Sequence, residues 1–366
     1  MKPNQALEYQ HLIDQHTQIL KDLQYESGLF AASSKEVSTG YDKSWLRDNF
    51  YECLAFEVID DWSTVEKTYN ALLKVFETHE EKIDWAITHK PTERFQYIHA
   101  RVHPETFEEF WEEWGNKQND SVGAILFRIG ELETNRPGCI LKNDNHKRIT
   151  QKLVNYLESI EYWHDKDSGM WEEDEEIHAS SVGACVAGLK AASKLEGISV
   201  NEDIIKKGEK RLDALLPRES KKKFVDLALL SLIWPYNVVS KQQADEILEN
   251  IKYLLLRKKG VIRYKNDYYY NKNPDGYSEE AEWTFGLAWL AIIYEKRGDQ
   301  EHAQEFVDLL LDTVTEQGVP ELYYSNTNQP NENNPLGWSE SLFIVALHNM
   351  NEMILDGHGQ KTPPQE

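Results

Sequence analysis

Apolar residues recur three and four positions apart along almost the whole chain, the spacing that gathers side chains on one face of an α-helix. Leu12, Ile19, Leu20 and Leu23 mark a first helix. The same period predicts helices over residues 44–60, 63–88, 119–134, 145–162, 179–195, 201–214, 223–234, 240–256, 279–297, 299–316 and 337–354. That makes about twelve helices. Alternation of period two is scarce, and VIRYKNDYYY and ELYYS read as extended loop edges rather than strands. Residues 1–355 are expected to form one domain, and 356–366, ending in the polar GHGQKTPPQE, a disordered tail.

About a dozen antiparallel helices leave three architectures open: an α-solenoid, an irregular bundle, or a closed ring of helical hairpins. The helix pairs share no repeated signature, which weighs against the solenoid. The aromatic residues favour the ring. Trp45, Trp114, Trp163, Trp171, Tyr264, Tyr268, Tyr269, Tyr270, Tyr323 and Tyr324 fall between the predicted helices, many beside carboxylates. Loops of that composition, repeated along the chain, are expected to converge on one pocket. A sugar suits such a pocket, since its ring stacks on aromatics and its hydroxyls meet Asp, Glu, Arg and Gln.

Composition narrows the partners. Asp and Glu number 63 against 40 Lys and Arg, a net charge of −23 over 366 residues. That field repels phosphate backbones, so nucleic acid is excluded as an expected partner. The longest apolar runs, VDLALLSLIWP and SLFIVAL, fall short of the ~18–20 residues of a membrane span. The N-terminal MKPNQALEYQHLIDQ has no apolar signal core. Cys53, Cys139 and Cys185 are odd in number and widely spaced, which reads as reduced thiols rather than a disulfide frame or zinc site. The expectation is a soluble, cytoplasmic protein.

Five segments carry candidate chemistry. GYDKSWLRDNFY, residues 40–51, sets Arg47 and Asp48 side by side at the start of an apolar helix. Burial of such a pair is costly unless a polar, uncharged ligand meets it. WEEWGNKQNDS (111–121) places Trp114 and Gly115 before a helix start. SGMWEEDEEIHASSVGA (168–184) sets Trp171, Glu172 and Glu173 in a loop. GVIRYKNDYYY is followed by the EEAEW of residues 279–283, and GVPELYY (318–324) by NPLGWSESLFIVAL. Glu172 and Glu321 thus lie beside aromatics in separate loops, and glycoside hydrolysis needs two carboxyls, one donating a proton and one accepting. Repulsion within EEDEE is expected to raise carboxyl pKa values. The plain alternatives are an acidic helix cap for Glu172 and an ordinary loop glutamate at 321.

Taken in order, these motifs resemble glycoside hydrolase family 15, the glucoamylase-like family, and the related N-terminal region of phosphorylase kinase α and β subunits. The resemblance runs from about Tyr41 to Leu347. It implies an all-α (α/α)6 barrel and inverting, exo-acting hydrolysis of α-glucosidic bonds. Tyr41, Trp45, Arg47 and Asp48 match the family's innermost glucose subsite. Trp114, Gly115 and Gln118 match its Trp-Gly-x-x-Gln segment, and Arg263 with Tyr264 its Arg-Tyr. Glu172, directly after Trp171, matches the general acid, with Glu173 as a sugar ligand. Glu321, ahead of Leu336, Gly337 and Trp338, matches the general base. The alternative implied is a non-hydrolytic carbohydrate-binding or regulatory protein like the kinase subunits.

Departures from the family pattern are informative. Neither a secretion signal nor a starch-binding module is seen, and Asn116 replaces the basic residue after Trp-Gly, with Lys117 next to it. Small α-glucosides or maltodextrins are therefore the expected substrates. NKNPDGYSEEAE (271–282) imitates an EF-hand loop, but Asn271 replaces its first Asp and no amphipathic helix precedes it. THEEKIDWAITH lacks the HExxH spacing, so His79 and His89 read as surface residues. No metal and no cofactor are expected. Asp226, inside VDLALL, reads as a hydrogen-bonded core carboxylate. Glu282, which precedes Trp283, is the reserve catalytic candidate.

Overall fold

The computed structural model describes residues 3–112, 114–271 and 279–359. Helices alternate between an outer and an inner layer. The outer layer takes α1 (Pro3–Asp22), α3 (Trp62–Thr78) with α4 (Glu80–His89), α6 (Asp144–Ser159), α8 (Glu202–Leu215), α10 (Lys241–Leu254) and α12 (Gln300–Leu311). The inner layer takes α2 (Leu46–Val58), α5 (Asn119–Asn135), α7 (Ala179–Ala192), α9 (Leu230–Ile233), α11 (Phe285–Lys296) and α13 (Gly337–Gly359). Each inner helix packs on the next, and α13 returns to α2, so the ring closes. The result is an (α/α)6 barrel.

Sequence dictates the layering. Every residue of α7 except Lys190 is buried, and α11 is buried from Phe285 through Tyr294; helices apolar all round belong inside. Outer helix α8 buries only Ile204, Gly208 and Leu212, a stripe repeating every four residues. Helices α5 and α7 meet almost backbone to backbone. A Cβ on Gly188 would lie 2.4 Å from the Gly123 carbonyl oxygen, so both positions need glycine.

Several elements differ from the expected ones. The predicted 63–88 helix breaks at His79 into α3 and α4. His79 is half-buried rather than at the surface, its Nε2 2.7 Å from the Phe107 carbonyl oxygen. The predicted 223–234 helix shrinks to a 3-10 turn, Leu227–Leu229, and the single turn α9. The Asp226 carboxylate accepts from the Ala228 amide at its start, and Pro235 prevents it from continuing. Residues 282–283 and 322–323, inside the predicted 279–297 helix and the ELYYS loop, pair instead as short antiparallel strands. Helix α13 runs to Gly359, past the expected start of the tail at 356, and 360–366 lie outside the described residues. So does most of the EF-hand-like segment, at 272–278.

Candidate active site

The segments that precede the inner helices gather at one end of the barrel around a cavity of about 1160 Å³. Ten of the eleven predicted site residues line it: Tyr41, Trp45, Arg47, Asp48, Trp114, Trp171, Glu172, Glu173, Arg263 and Glu321. Of the ten inter-helix aromatics, Trp45, Trp114, Trp171, Tyr264, Tyr268 and Tyr269 reach it, whereas Trp163, Tyr270, Tyr323 and Tyr324 do not. No helix among the described residues is long and apolar enough to cross a membrane.

Two short ladders set the walls. β1 (Ser44–Trp45) pairs antiparallel with β2 (Arg101–Val102), which fixes Trp45 just ahead of α2. The Arg101 guanidinium lies between Trp45 and Trp114, 5.3 and 4.4 Å from their ring centres. β3 (Glu282–Trp283) pairs with β4 (Leu322–Tyr323), and this holds Glu321 in place. Alternate strand residues face opposite ways. Trp283 faces the cavity, so Glu282 turns outward and accepts the backbone amides of Lys259 (2.6 Å) and Asn326 (2.9 Å). That removes Glu282 as a reserve catalyst; it ties loops together.

Arg47 is 3% exposed and donates to Gln118 Oε1 (2.8 Å) and Asp120 Oδ2 (3.0 Å), with Glu172 Oε1 at 3.5 Å. Gln118 is thus no cavity residue. It stands behind Arg47 and donates its own amide to the Gly115 carbonyl, orienting the guanidinium. Asp48 faces the cavity and has no hydrogen-bond partner among the described residues. Burial pushes its carboxyl up to about 6 against the opposing Arg47 charge. The polar ligand that such an adjacent pair needs has room to enter here.

The Glu172 loop is closed by reciprocal backbone bonds between Asp167 and Glu176, of 2.9 and 3.0 Å. Glu172 adopts φ 64°, a left-handed conformation that non-glycine residues adopt mostly where the surroundings impose it. Gly115 leaves room for the loop: a Cβ there would lie 2.4 Å from the Glu172 carbonyl oxygen. The Glu172 side chain is 22% exposed. Burial raises its carboxyl to about 8, with Arg47 opposing and Asp48 assisting.

Repulsion within EEDEE is not the cause, because the neighbours each hold a partner. Glu173 accepts from Lys223 (2.6 Å), Tyr264 (2.6 Å) and Arg263 (3.1 Å). Asp174 pairs with Lys222 and Glu175 with Arg94, while Glu176 accepts from Ser220. Nor does the run cap α7: Glu219 accepts the Ser180 amide and hydroxyl at that terminus.

Glu321 is 1% exposed. Its Oε2 accepts from Asn331 (2.6 Å) and Asn333 (2.8 Å), and its Oε1 from the Tyr41 hydroxyl (3.1 Å), which also bonds Tyr269 (2.8 Å). Burial raises the carboxyl to about 7, while these three donors pull it down. Sequence reading missed Asn331 and Asn333. Their spacing of two in a loop is the available signal, since it puts both amides on one side of extended chain.

Arg263 is held by paired bonds to Asp267, both 2.6 Å, beneath Trp171, Tyr269 and Trp283. Trp171 donates Nε1–H to Asp226 at 2.7 Å, so Asp226 is the hydrogen-bonded core carboxylate expected. Lys117 cannot replace the missing basic residue, because it is buried against Asp165 at 2.9 Å and Tyr97.

A closed ring of helical hairpins with paired carboxyls and aromatic walls is a glycosidase-type fold and cavity. The sequence model for "Glycosyl hydrolases family 15" matches residues 9–346, and the chain belongs to that family. It is 24% identical over 274 residues to an uncharacterised glycosyl hydrolase of Methanocaldococcus jannaschii, covering 65% of this chain and 43% of that one. It is 25% identical to the probable phosphorylase b kinase regulatory subunit alpha of Drosophila melanogaster, over 92% of this chain. The chain spans only about a third (32%) of that subunit's length. A glycosidase variant solved in complex with glucose superposes with TM-score 0.82 at 17% identity, covering 96% of this chain and 99% of the other.

Proposed function

We propose that the protein is an inverting, exo-acting α-glucosidase that removes glucose from small α-glucosides or maltodextrins. The observation that carries this reading is the unlike pair of carboxyls on one cavity. Glu172, raised to about 8, keeps its proton at neutral pH. Glu321, with three hydrogen-bond donors, ionises first. Environments that push two carboxyls apart assign the acid and the base.

In this scheme Arg47, Asp48, Glu173 and Arg263 hold the hydroxyls of the terminal glucose, and Trp45, Trp114 and Trp171 flank its ring. Glu172 gives its proton to the glycosidic oxygen as the C1–O bond breaks. Glu321 takes a proton from the water that attacks C1 from the opposite face, so the product is β-glucose and both carboxyls end with their protons exchanged. Glu172→Gln and Glu321→Gln should each lower kcat at least a hundredfold while the folded protein still binds glucose. Near-normal turnover in either variant overturns its assignment.

The similarity to the fly kinase subunit over 92% of this chain favours a second reading, a barrel that binds a sugar without cleaving it. Saturable sugar binding with no product from any α-linked disaccharide would select it.

A further inference from the structure

A buried charge cluster beneath the Glu172 loop takes no part in the chemistry above. His178 stands at the N-terminus of α7, 4% exposed, yet its side chain caps no amide there. That task falls to Glu219, which accepts the Ser180 amide (3.1 Å) and hydroxyl (2.5 Å), while its own carbonyl accepts the Ala179 amide (2.7 Å). The His178 ring instead spans two segments. Its Nδ1 lies 3.3 Å from Glu219 Oε1. Its opposite edge packs on Gly169 of the Glu172 loop, where a Cβ would come within 2.9 Å of both Cδ2 and Nε2.

Asp167, in the stem of that loop, completes the cluster. It is 1% exposed, its backbone exchanges bonds with Glu176, and its Oδ2 accepts the Asn119 amide (2.9 Å) at the start of α5. Three charged groups act on the imidazole: Asp167 and Glu219 favour its protonated form, and Lys223 opposes it. Against burial, the two carboxylates raise it to about 9, so His178 is a cation at neutral pH. A cation at a helix N-terminus works against the helix dipole, and burying one is costly even when it is paired. The stability of α7 therefore does not account for this residue. A tie between the loop stem and the Glu219 segment does.

We propose that His178 is a positioning residue for catalysis: its buried cation clamps the stem of the Glu172 loop against the Glu219 segment and so keeps the Glu172 carboxyl over Arg47. The catalytic role rests on the hydrolase reading, but the clamp does not. His178→Phe keeps a ring against Gly169 and removes both the charge and the N–H groups. Asp167→Asn keeps the shape and the bond to the Asn119 amide and removes the loop-side charge. It tests the clamp even if His178→Phe does not fold. The charges that act most on Glu172 are Arg47, Asp48 and Arg101. A shift of its titration in either variant therefore reports a moved loop rather than a changed field.

Amide hydrogen exchange by mass spectrometry and the pH profile of kcat/KM are measured on the folded variants. The loop peptide holding the Glu173 and Glu176 amides, which donate to the Ser168 and Asp167 carbonyls, should exchange about tenfold faster, with the outer helices unchanged. Turnover should fall about tenfold, and the falling limb should move about one pH unit lower as water reaches Glu172. Unchanged exchange, or exchange faster by one factor throughout the barrel, overturns the clamp. Selectively faster loop exchange with kcat and the limb unmoved overturns the positioning role. If the unmutated protein cleaves no α-glucoside while the loop exchange still rises selectively, the hydrolase reading falls and the clamp stands.

Discussion

Gly115→Ala isolates the contact that shapes the catalytic loop. A methyl at this position would sit 2.4 Å from the Glu172 carbonyl oxygen and 2.7 Å from its carbon, where ordinary contact begins at 3.4 Å. The obstruction is backbone on both sides, so no side-chain rotation relieves it. The 172 segment must retreat by about 1 Å, and the carboxyl that faces Arg47 at 3.5 Å retreats with it. A displacement of that size costs on the order of 10²-fold in rate. Overpacking lowers stability by about 1–3 kcal/mol, too little to unfold a barrel with a core this extensive. Steady-state kinetics on maltose, with melting curves in parallel, should show kcat about a hundredfold down and only a modest fall in Tm. A kcat within threefold of the unmutated protein would refute the claim that this contact places Glu172.

Further consequences are open to direct measurement. The pH profile of kcat/KM should rise through about pH 7 as Glu321 ionises and fall through about pH 8 as Glu172 loses its proton; a plateau reaching well below pH 6 would contradict the assigned base. Asp48→Asn removes a charge that raises Glu172, so the falling limb should move to lower pH. Folding holds the Glu172 proton more tightly than the unfolded chain does, so this residue's contribution to stability is lost as pH rises from 4.5 toward 8. The stability advantage of Glu172→Gln in denaturant unfolding should therefore grow over that range, by on the order of a few kcal/mol. Glu340 accepts the Val319 amide (2.6 Å) ahead of the Glu321 segment and meets buried His16 at 2.6 Å. Glu340→Ala leaves both without a partner and should cost about 3–5 kcal/mol in denaturant unfolding.

Much of the fold is written in local pattern. The helical period recovers most of both layers because inner helices such as α7 and α11 are apolar almost throughout and outer ones such as α8 carry a single stripe. It fails where a short segment must serve the site. Residues 223–234 look helical because VDLALLSLIWP is apolar, but Asp226 starts the turn late and Pro235 stops it early. The family resemblance picks out eleven site residues, and ten of them line one cavity. Gln118 is the exception, since spacing cannot tell a side chain that lines a cavity from one that stands behind an arginine. In sequence Glu282 stands in reserve behind Glu321, both beside aromatics; the pleat of a two-residue ladder, a non-local pairing, turns Glu282 away from the cavity that Glu321 lines. Asn331 and Asn333 escaped notice because what they do depends on the carboxylate they meet.

The most direct test is proton NMR of the protein with maltose, maltotriose, isomaltose and trehalose, following the anomeric signals from the first minutes. The account predicts β-glucose as the first product from at least one of them, with the α-anomer appearing later by mutarotation. Initial release of α-glucose, or no release from any of the four, would contradict it.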